Sequence, residues 1–187
     1  MSFANRASAK VFRDKLEIPV IQGGMGVGIS MGKLAGSVAA CGGIGVISTA
    51  LIGFREEDFY QNHVEADVRA LRKEIQIAKE IANGRGMIAI NAMTVTTDYR
   101  ECIEAAVKEG IDAIISGAGL PLALPELVDG KDVLIAPIVS SAKAAALIMR
   151  SWNKKCERKP DFIVVEGSGA GGHLGFKKEE LLEKSYQ

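Results

Sequence analysis

Val133-Leu134-Ile135-Ala136-Pro137-Ile138-Val139 is seven apolar residues in a row, and the alanine-rich stretch from Ser141 to Trp152 follows almost at once. A continuous apolar run suits a strand buried on both faces, and a run that hands over directly to a helix suits a parallel sheet with helical crossovers. The same alternation recurs outward in both directions. Five further runs read as strands: Pro19 to Gln22, Ile44 to Ser48, Met87 to Asn91, Ala113 to Ser116 and Phe162 to Glu166. Between them Lys33 to Cys41 reads as a short helix. Asn62 to Ala82 reads as a long one with Val64, Val68, Leu71, Ile75, Ala78 and Ala82 on one stripe. Thr97 or Asp98 is placed to cap a helix that Gly110 ends. Pro121 to Val128 is a shorter candidate, and Lys177 to Lys184 begins another helix. Strand and helix alternating so regularly imply right-handed crossovers and a parallel sheet, either doubly wound or closed into a barrel, and periodicity alone does not decide which.

The bulk properties narrow the class. The chain has 187 residues, 48% of them hydrophobic, enough to bury a sizeable core. Lys plus Arg and Asp plus Glu both total 23, so nothing in the charge points to a nucleic-acid or anionic-membrane partner, and small ligands fit better. The basic stretch Lys154 to Lys159 reads as a solvated loop. Cys41, Cys102 and Cys156 are far apart with no C-x-x-C spacing, which argues against a zinc site or a disulfide framework and for a reducing cytoplasm. Met1 to Lys10 lacks the apolar core of a secretory signal, and no apolar run reaches the roughly 18 residues of a membrane helix, so a soluble cytoplasmic protein is expected.

In parallel α/β folds ligands gather beyond the C-terminal strand ends. After the first run comes Gln22-Gly23-Gly24-Met25-Gly26-Val27-Gly28, four glycines in six residues. That pattern serves either a flexible turn or a backbone that must approach a flat or charged ligand. Asn91 ends the third run and is either a loop cap or an amide suited to the edge of a heteroaromatic ring. The fourth run leads into the small residues Ser116-Gly117-Ala118-Gly119. The last leads into Glu166-Gly167-Ser168-Gly169-Ala170-Gly171-Gly172-His173-Leu174-Gly175, five glycines around one histidine that can move protons near neutrality. His63, the other histidine, lies in a helical segment and reads as surface.

Gly167-x-Gly169-x-x-Gly172 fits the dinucleotide fingerprint, but that motif belongs at a first βα turn with an acidic residue about 20 positions later. Here five strands precede it and the chain ends 15 residues after Gly172. A metal site at His173 and Glu166 lacks a third ligand at sensible spacing.

Together the strand-end motifs resemble one family, the FMN-dependent nitronate monooxygenases (2-nitropropane dioxygenases) with the related flavin enoyl-acyl-carrier-protein reductases II. Ile18-Pro19-Val20-Ile21-Gln22-Gly23-Gly24-Met25 is similar to their first strand and flavin-facing turn, and Cys41-Gly42-Gly43-Ile44-Gly45-Val46-Ile47 to their second-strand segment. Asn91 falls where the family has V-N. Ser116-Gly117-Ala118-Gly119-Leu120-Pro121 is similar to the reductases' T-G-A-G-N-P, and Glu166 to His173 resembles both branches.

The resemblance implies a (β/α)8 TIM barrel of FMN-dependent type. Gly24, Met25 and Gly26 would line the isoalloxazine and Asn91 would bond its edge, while Gly117, Glu166, Gly171 and Gly172 would complete the pocket. His173 would be the catalytic acid/base. The implied activity is that of a flavoprotein monooxygenase, turning alkyl nitronates and O2 into carbonyl compounds and nitrite. The alternative is an NAD(P)H-dependent enoyl-thioester reductase. Glu166 stands where many monooxygenases have glutamine and is reductase-like, whereas the long segment Phe54 to Gly86 resembles an insertion in some monooxygenase-like members. The chain stops after six strands, so residues 1–187 read as the N-terminal part of one FMN-binding barrel domain truncated before the strands that commonly build the phosphate site. An inactive fragment serving only binding or assembly is the expectation from a different class. Oligomeric state stays open, a homo-oligomer included.

Overall fold

The computed structural model describes residues 16–172, 174–176 and 178–179. In chain order the elements are α1 (Gly32–Ala40), β1 (Ile44–Ser48), α2 (His63–Ala82), β2 (Met87–Met93), α3 (Tyr99–Lys108), β3 (Ala113–Gly117), α4 (Leu124–Leu127), β4 (Leu134–Val139), α5 (Ala142–Cys156) and β5 (Val164–Val165). The five strands form one parallel sheet in the order β1-β2-β3-β4-β5. A doubly wound sheet reverses its strand order at a switch point. Sequential neighbours throughout settle the ambiguity of the sequence in favour of a curled, open part of a (β/α)8 barrel.

Alternate residues on each strand serve two cores. Ile44, Val46, Met87, Ala89, Ala113, Ile115, Leu134 and Ala136 form the barrel interior. Ile47, Ile88, Ile90, Ile114, Ile135 and Val139 face the helices. Small alanines in the interior leave room for the branched side chains beside them, so each face buries a continuous apolar surface.

The first expected strand, Pro19 to Gln22, is reduced to one parallel bridge between Ile21 and Ile44. The reason lies in Gln22. Beyond the Gln22 N–H to Ile44 O bond (3.0 Å), its side chain takes over the ladder: the amide donates to Val46 O (3.0 Å) and Oε1 accepts from Val46 N–H (3.3 Å). The expected last strand, Phe162 to Glu166, contracts to Val164–Val165. Amides along β4 alternate in direction: Leu134 N–H bonds Asp112 O beside β3, and Ile135 N–H bonds the Asp161 carboxylate on the β5 side (2.8 Å). By the two-residue period Pro137 faces β5, where it has no N–H to give, and pairing with β5 begins only at Ile138.

The helices follow the sequence with shifts. On α2 the buried residues are Ala66, Asp67, Ala70, Leu71, Ile75, Ala78 and Ala82, while Val64 and Val68 are half-buried. The stripe turns because α1 docks through small residues: a Cβ at Gly36 would stand 2.8 Å from Ala78 O, and Gly32 N–H bonds Glu74 Oε2 (2.7 Å). Thus α2, within the segment that resembled an insertion, is the crossover between β1 and β2. Asp98 holds the N-cap position of α3, but its carboxylate accepts from the Cys102 thiol (3.1 Å) instead of capping an amide. Helix α5 runs on to Cys156, so Lys154 and Lys155 lie in its last turn rather than in a loop, favourably placed against the helix dipole. Arg158 pairs with Asp161 (2.8 Å). No helix among the described residues is long and apolar enough to cross a membrane. Of the helix expected over Lys177 to Lys184, Lys178 and Glu179 are described and helical.

Candidate functional site

The alternation that fills the barrel interior continues to the strand tops. Two residues beyond Ala89 is Asn91, two beyond Ile115 is Gly117, two beyond Ala136 is Ile138, and two beyond Val164 is Glu166. These inward positions ring a cleft of about 1030 Å³ at the C-terminal end of the sheet.

One wall is the loop after the first bridge. Ser30 is buried and gathers it: the hydroxyl accepts from Gln22 Nε2 and from Met25 N–H (both 2.9 Å) and donates to Gly23 O (3.1 Å). Ser30 N–H returns to Met25 O (3.0 Å), and Ser30 O accepts from Ser48 N–H at the top of β1 (2.9 Å). So Gly23, Gly24, Met25 and Gly26 are presented to the cleft as a fixed backbone strip.

The floor is Asn91 and Gly117. Asn91 O accepts from Thr49 N–H (3.0 Å), while the side-chain amide makes no hydrogen bond to the described residues and lines the cleft. A Cβ at Gly117 would stand 3.0 Å from Ile138 Cβ, so only glycine keeps the top of β3 level with its neighbour. Thr94 secures the next turn, its hydroxyl donating to Ala118 O (2.8 Å).

The far wall is the glycine-rich loop after β5. Glu166 N–H bonds Val139 O (2.8 Å), and the Glu166 carboxylate accepts from Gly175 N–H (2.8 Å). Ser140, just past β4, donates its hydroxyl to Gly175 O (2.8 Å). The loop is thus closed at its base, while a Cβ at Gly167, Gly169, Gly171 or Gly172 would meet nothing within 4 Å. Gly171, Gly172, Leu174 and Gly175 all line the cleft.

Of the residues singled out in the sequence, Gly24, Met25, Gly26, Asn91, Gly117, Glu166, Gly171 and Gly172 therefore lie around one cavity. His173 lies outside the described residues. His63 is exposed, pairs with Thr97 Oγ1 (3.0 Å) and does not line the cleft. Sequence reasoning missed Ser30 and Ser140, small residues with no motif, and the apolar side of the cleft formed by Met93, Leu120 and Ile138. No Lys or Arg lines the cleft among the described residues. No cluster of three or more His, Cys, Asp or Glu suited to a metal occurs among them either.

A sequential parallel barrel sheet with its cleft at the C-terminal strand ends defines the chain as part of a TIM-barrel α/β protein. The model of the nitronate monooxygenase family matches residues 9–186, and the chain belongs to that family. Among solved structures the fold is similar to FabK from Thermotoga maritima, with TM-score 0.68 and 21% identity over 89% of this chain and 46% of that one. A point variant of the same FabK matches with TM-score 0.69 and 21% identity, over 89% and 48% of the two chains. The chain thus spans about half the length of the solved structures it matches. No curated protein matches it significantly.

Proposed function

We propose that this chain forms the flavin-facing part of an FMN-dependent oxidoreductase and that its reaction is the oxidation of alkyl nitronates by O2 to carbonyl compounds and nitrite. The observation that carries the reading is the meeting of strand-end motifs, spread in sequence from Gly23 to Gly175, around one cleft in a chain of the nitronate monooxygenase family. The cleft suits a flat heteroaromatic ring. Gly24, Gly26 and Gly117 offer backbone surface where side chains would intrude, and Asn91 brings an amide that can donate and accept at once.

Bound FMN would supply the electron-accepting chemistry. The chain's own residues do the rest. Gly24, Met25 and Gly26 would hold the ring by its face, Asn91 would bond its edge, and Glu166 with Gly171 and Gly172 would close the remaining side. Met93, Leu120 and Ile138 would give the substrate end an apolar wall. His173 would take the proton from the carbon beside the nitro group when the substrate arrives as a neutral nitroalkane.

The test is a visible flavin spectrum in the purified full-length protein and nitrite release from nitroethane or its nitronate under air. His173→Ala should slow the neutral nitroalkane at least about a hundredfold. A protein that binds no FMN would end the reading, and an unchanged rate in the variant would remove His173 from the base role.

A second reading, NAD(P)H-dependent reduction of an enoyl thioester, is favoured by Glu166, which stands where many monooxygenases carry glutamine. Anaerobic mixing separates the two: flavin bleaching by NAD(P)H and recovery with an enoyl thioester would replace the monooxygenase reading.

A further inference from the structure

We propose that Ser140 is a positioning residue for the reaction, acting through Gly175 on the glycine-rich loop. The inference rests on the reading of His173 as the acid/base. Gly175 is held from both sides. Its carbonyl accepts from Ser140 Oγ and its N–H donates to Glu166 Oε2, each at 2.8 Å. The two partners sit at the tops of adjacent strands, β4 and β5, which are themselves joined there by the Glu166 N–H to Val139 O bond.

The position demands glycine. A Cβ at Gly175 would stand 2.6 Å from Ser140 Oγ and 3.1 Å from Glu166 Oε2, so the clamp closes only because no side chain intervenes. Among the described residues between these ends, a Cβ at Gly167, Gly169, Gly171 or Gly172 would meet nothing within 4 Å, and Ala170 N–H bonds Gly167 O (3.1 Å) in a turn. His173 is two residues before Gly175 in sequence, so the Ser140 hydroxyl would fix the point of the chain from which the proposed acid/base is presented. A misplacement of about 1 Å can cost a proton-transfer step roughly a hundredfold.

Two measurements on the full-length protein test this. The first uses deuterium uptake by the peptide spanning 166–176, in wild type and Ser140→Ala, without added flavin. Uptake in the variant should be faster, and Ser140→Thr, which keeps the hydroxyl, should restore protection. The second compares nitroethane with the same compound pre-ionised to its nitronate, which needs no base. Ser140→Ala should lower the nitroethane rate at least about tenfold more than the nitronate rate.

Unchanged uptake would show that the hydroxyl does not hold the loop, and equal losses with both compounds would reduce Ser140 to a structural part. Either overturns the proposal. A wild-type protein inactive with both compounds would instead sink the monooxygenase reading and take the assignment with it, a result distinct from a wild type that reacts and a variant that fails to discriminate.

Discussion

Gly24 stands directly against the side chain of Asn91: a Cβ added to Gly24 would lie 2.5 Å from Asn91 Cβ and 2.8 Å from its Cγ. The contact ties the loop after the first bridge to the top of β2, so two of the proposed flavin contacts are set by one another.

Gly24→Ala should therefore push either the loop or the Asn91 amide out of place and weaken FMN binding by about tenfold or more, with only a small change in thermal stability because the loop is exposed. Gly23→Ala is the control, since a Cβ there meets nothing within 4 Å. Fluorescence titration with FMN reads both. Equal affinities in the two variants would show that the Gly24 contact does not shape the site.

Gln22→Leu keeps the volume of the side chain but removes its bonds to Val46 and Ser30. Val46 would lose its partners on the open side of β1, and Ser30 would lose one of the donors that fix its hydroxyl. The expected cost is about 1–3 kcal/mol in urea denaturation, accompanied by weaker FMN binding. A variant as stable as wild type would mean that water replaces the glutamine without loss.

Asp67 gives the protein an unusual acid-side stability. Its side chain is buried and accepts from Gly53 N–H (2.6 Å). Burial pushes its pKa up to about 6, with the Gly53 N–H pulling the other way and the neighbouring Asp98 adding to the rise. Because the folded value lies above the unfolded one, the folded state holds this proton more tightly. The contribution is fully present below about pH 4 and is lost as pH rises through about 6. Wild type should be about 1 kcal/mol more stable at pH 5 than at pH 7.5 from this group alone, and Asp67→Asn should flatten that interval. Guanidinium denaturation at the two pH values checks it. A difference that survives in the variant would place its origin elsewhere.

Strands β1 to β4 were legible because each is an apolar run buried on both faces, and the cleft because glycines and Asn91 cluster at strand ends. What stayed hidden was carried by residues whose type argues against their role. Asp67 reads as the polar side of α2, yet it is buried because it accepts a backbone N–H from the loop after β1. The turned stripe on α2 escaped because α1 docks through Gly32 and Gly36, and small residues carry little weight in a hydrophobic pattern. Gln22 looked like the end of a strand and instead replaces one. A usable signal was present before two strands. Asp112 precedes β3 and Asp161 precedes β5, and each carboxylate accepts an amide N–H from the start of the previous strand, Ile88 (2.9 Å) and Ile135 (2.8 Å). An aspartate just ahead of an apolar run would have marked both.

The Asp161 side chain is fully shielded, bonds Ile135 N–H and pairs with Arg158 at 2.8 Å. It serves the one stretch of β4 where Pro137 has no N–H to offer β5, so the carboxylate does the work of a missing ladder rung. Asp161→Ala would leave a buried N–H without its acceptor and the half-buried Arg158 without its counter-charge. Truncating one member of such a pair costs more than the pair contributes, and about 2–4 kcal/mol is expected. Asp161→Asn should recover part of that loss, since its carbonyl oxygen can still accept from Ile135, while its amide cannot neutralise Arg158. Urea denaturation of the three proteins gives the order wild type, Asn, Ala. A cost below about 0.5 kcal/mol for the alanine variant, within the range of ordinary surface changes, would show that β5 does not depend on this anchor.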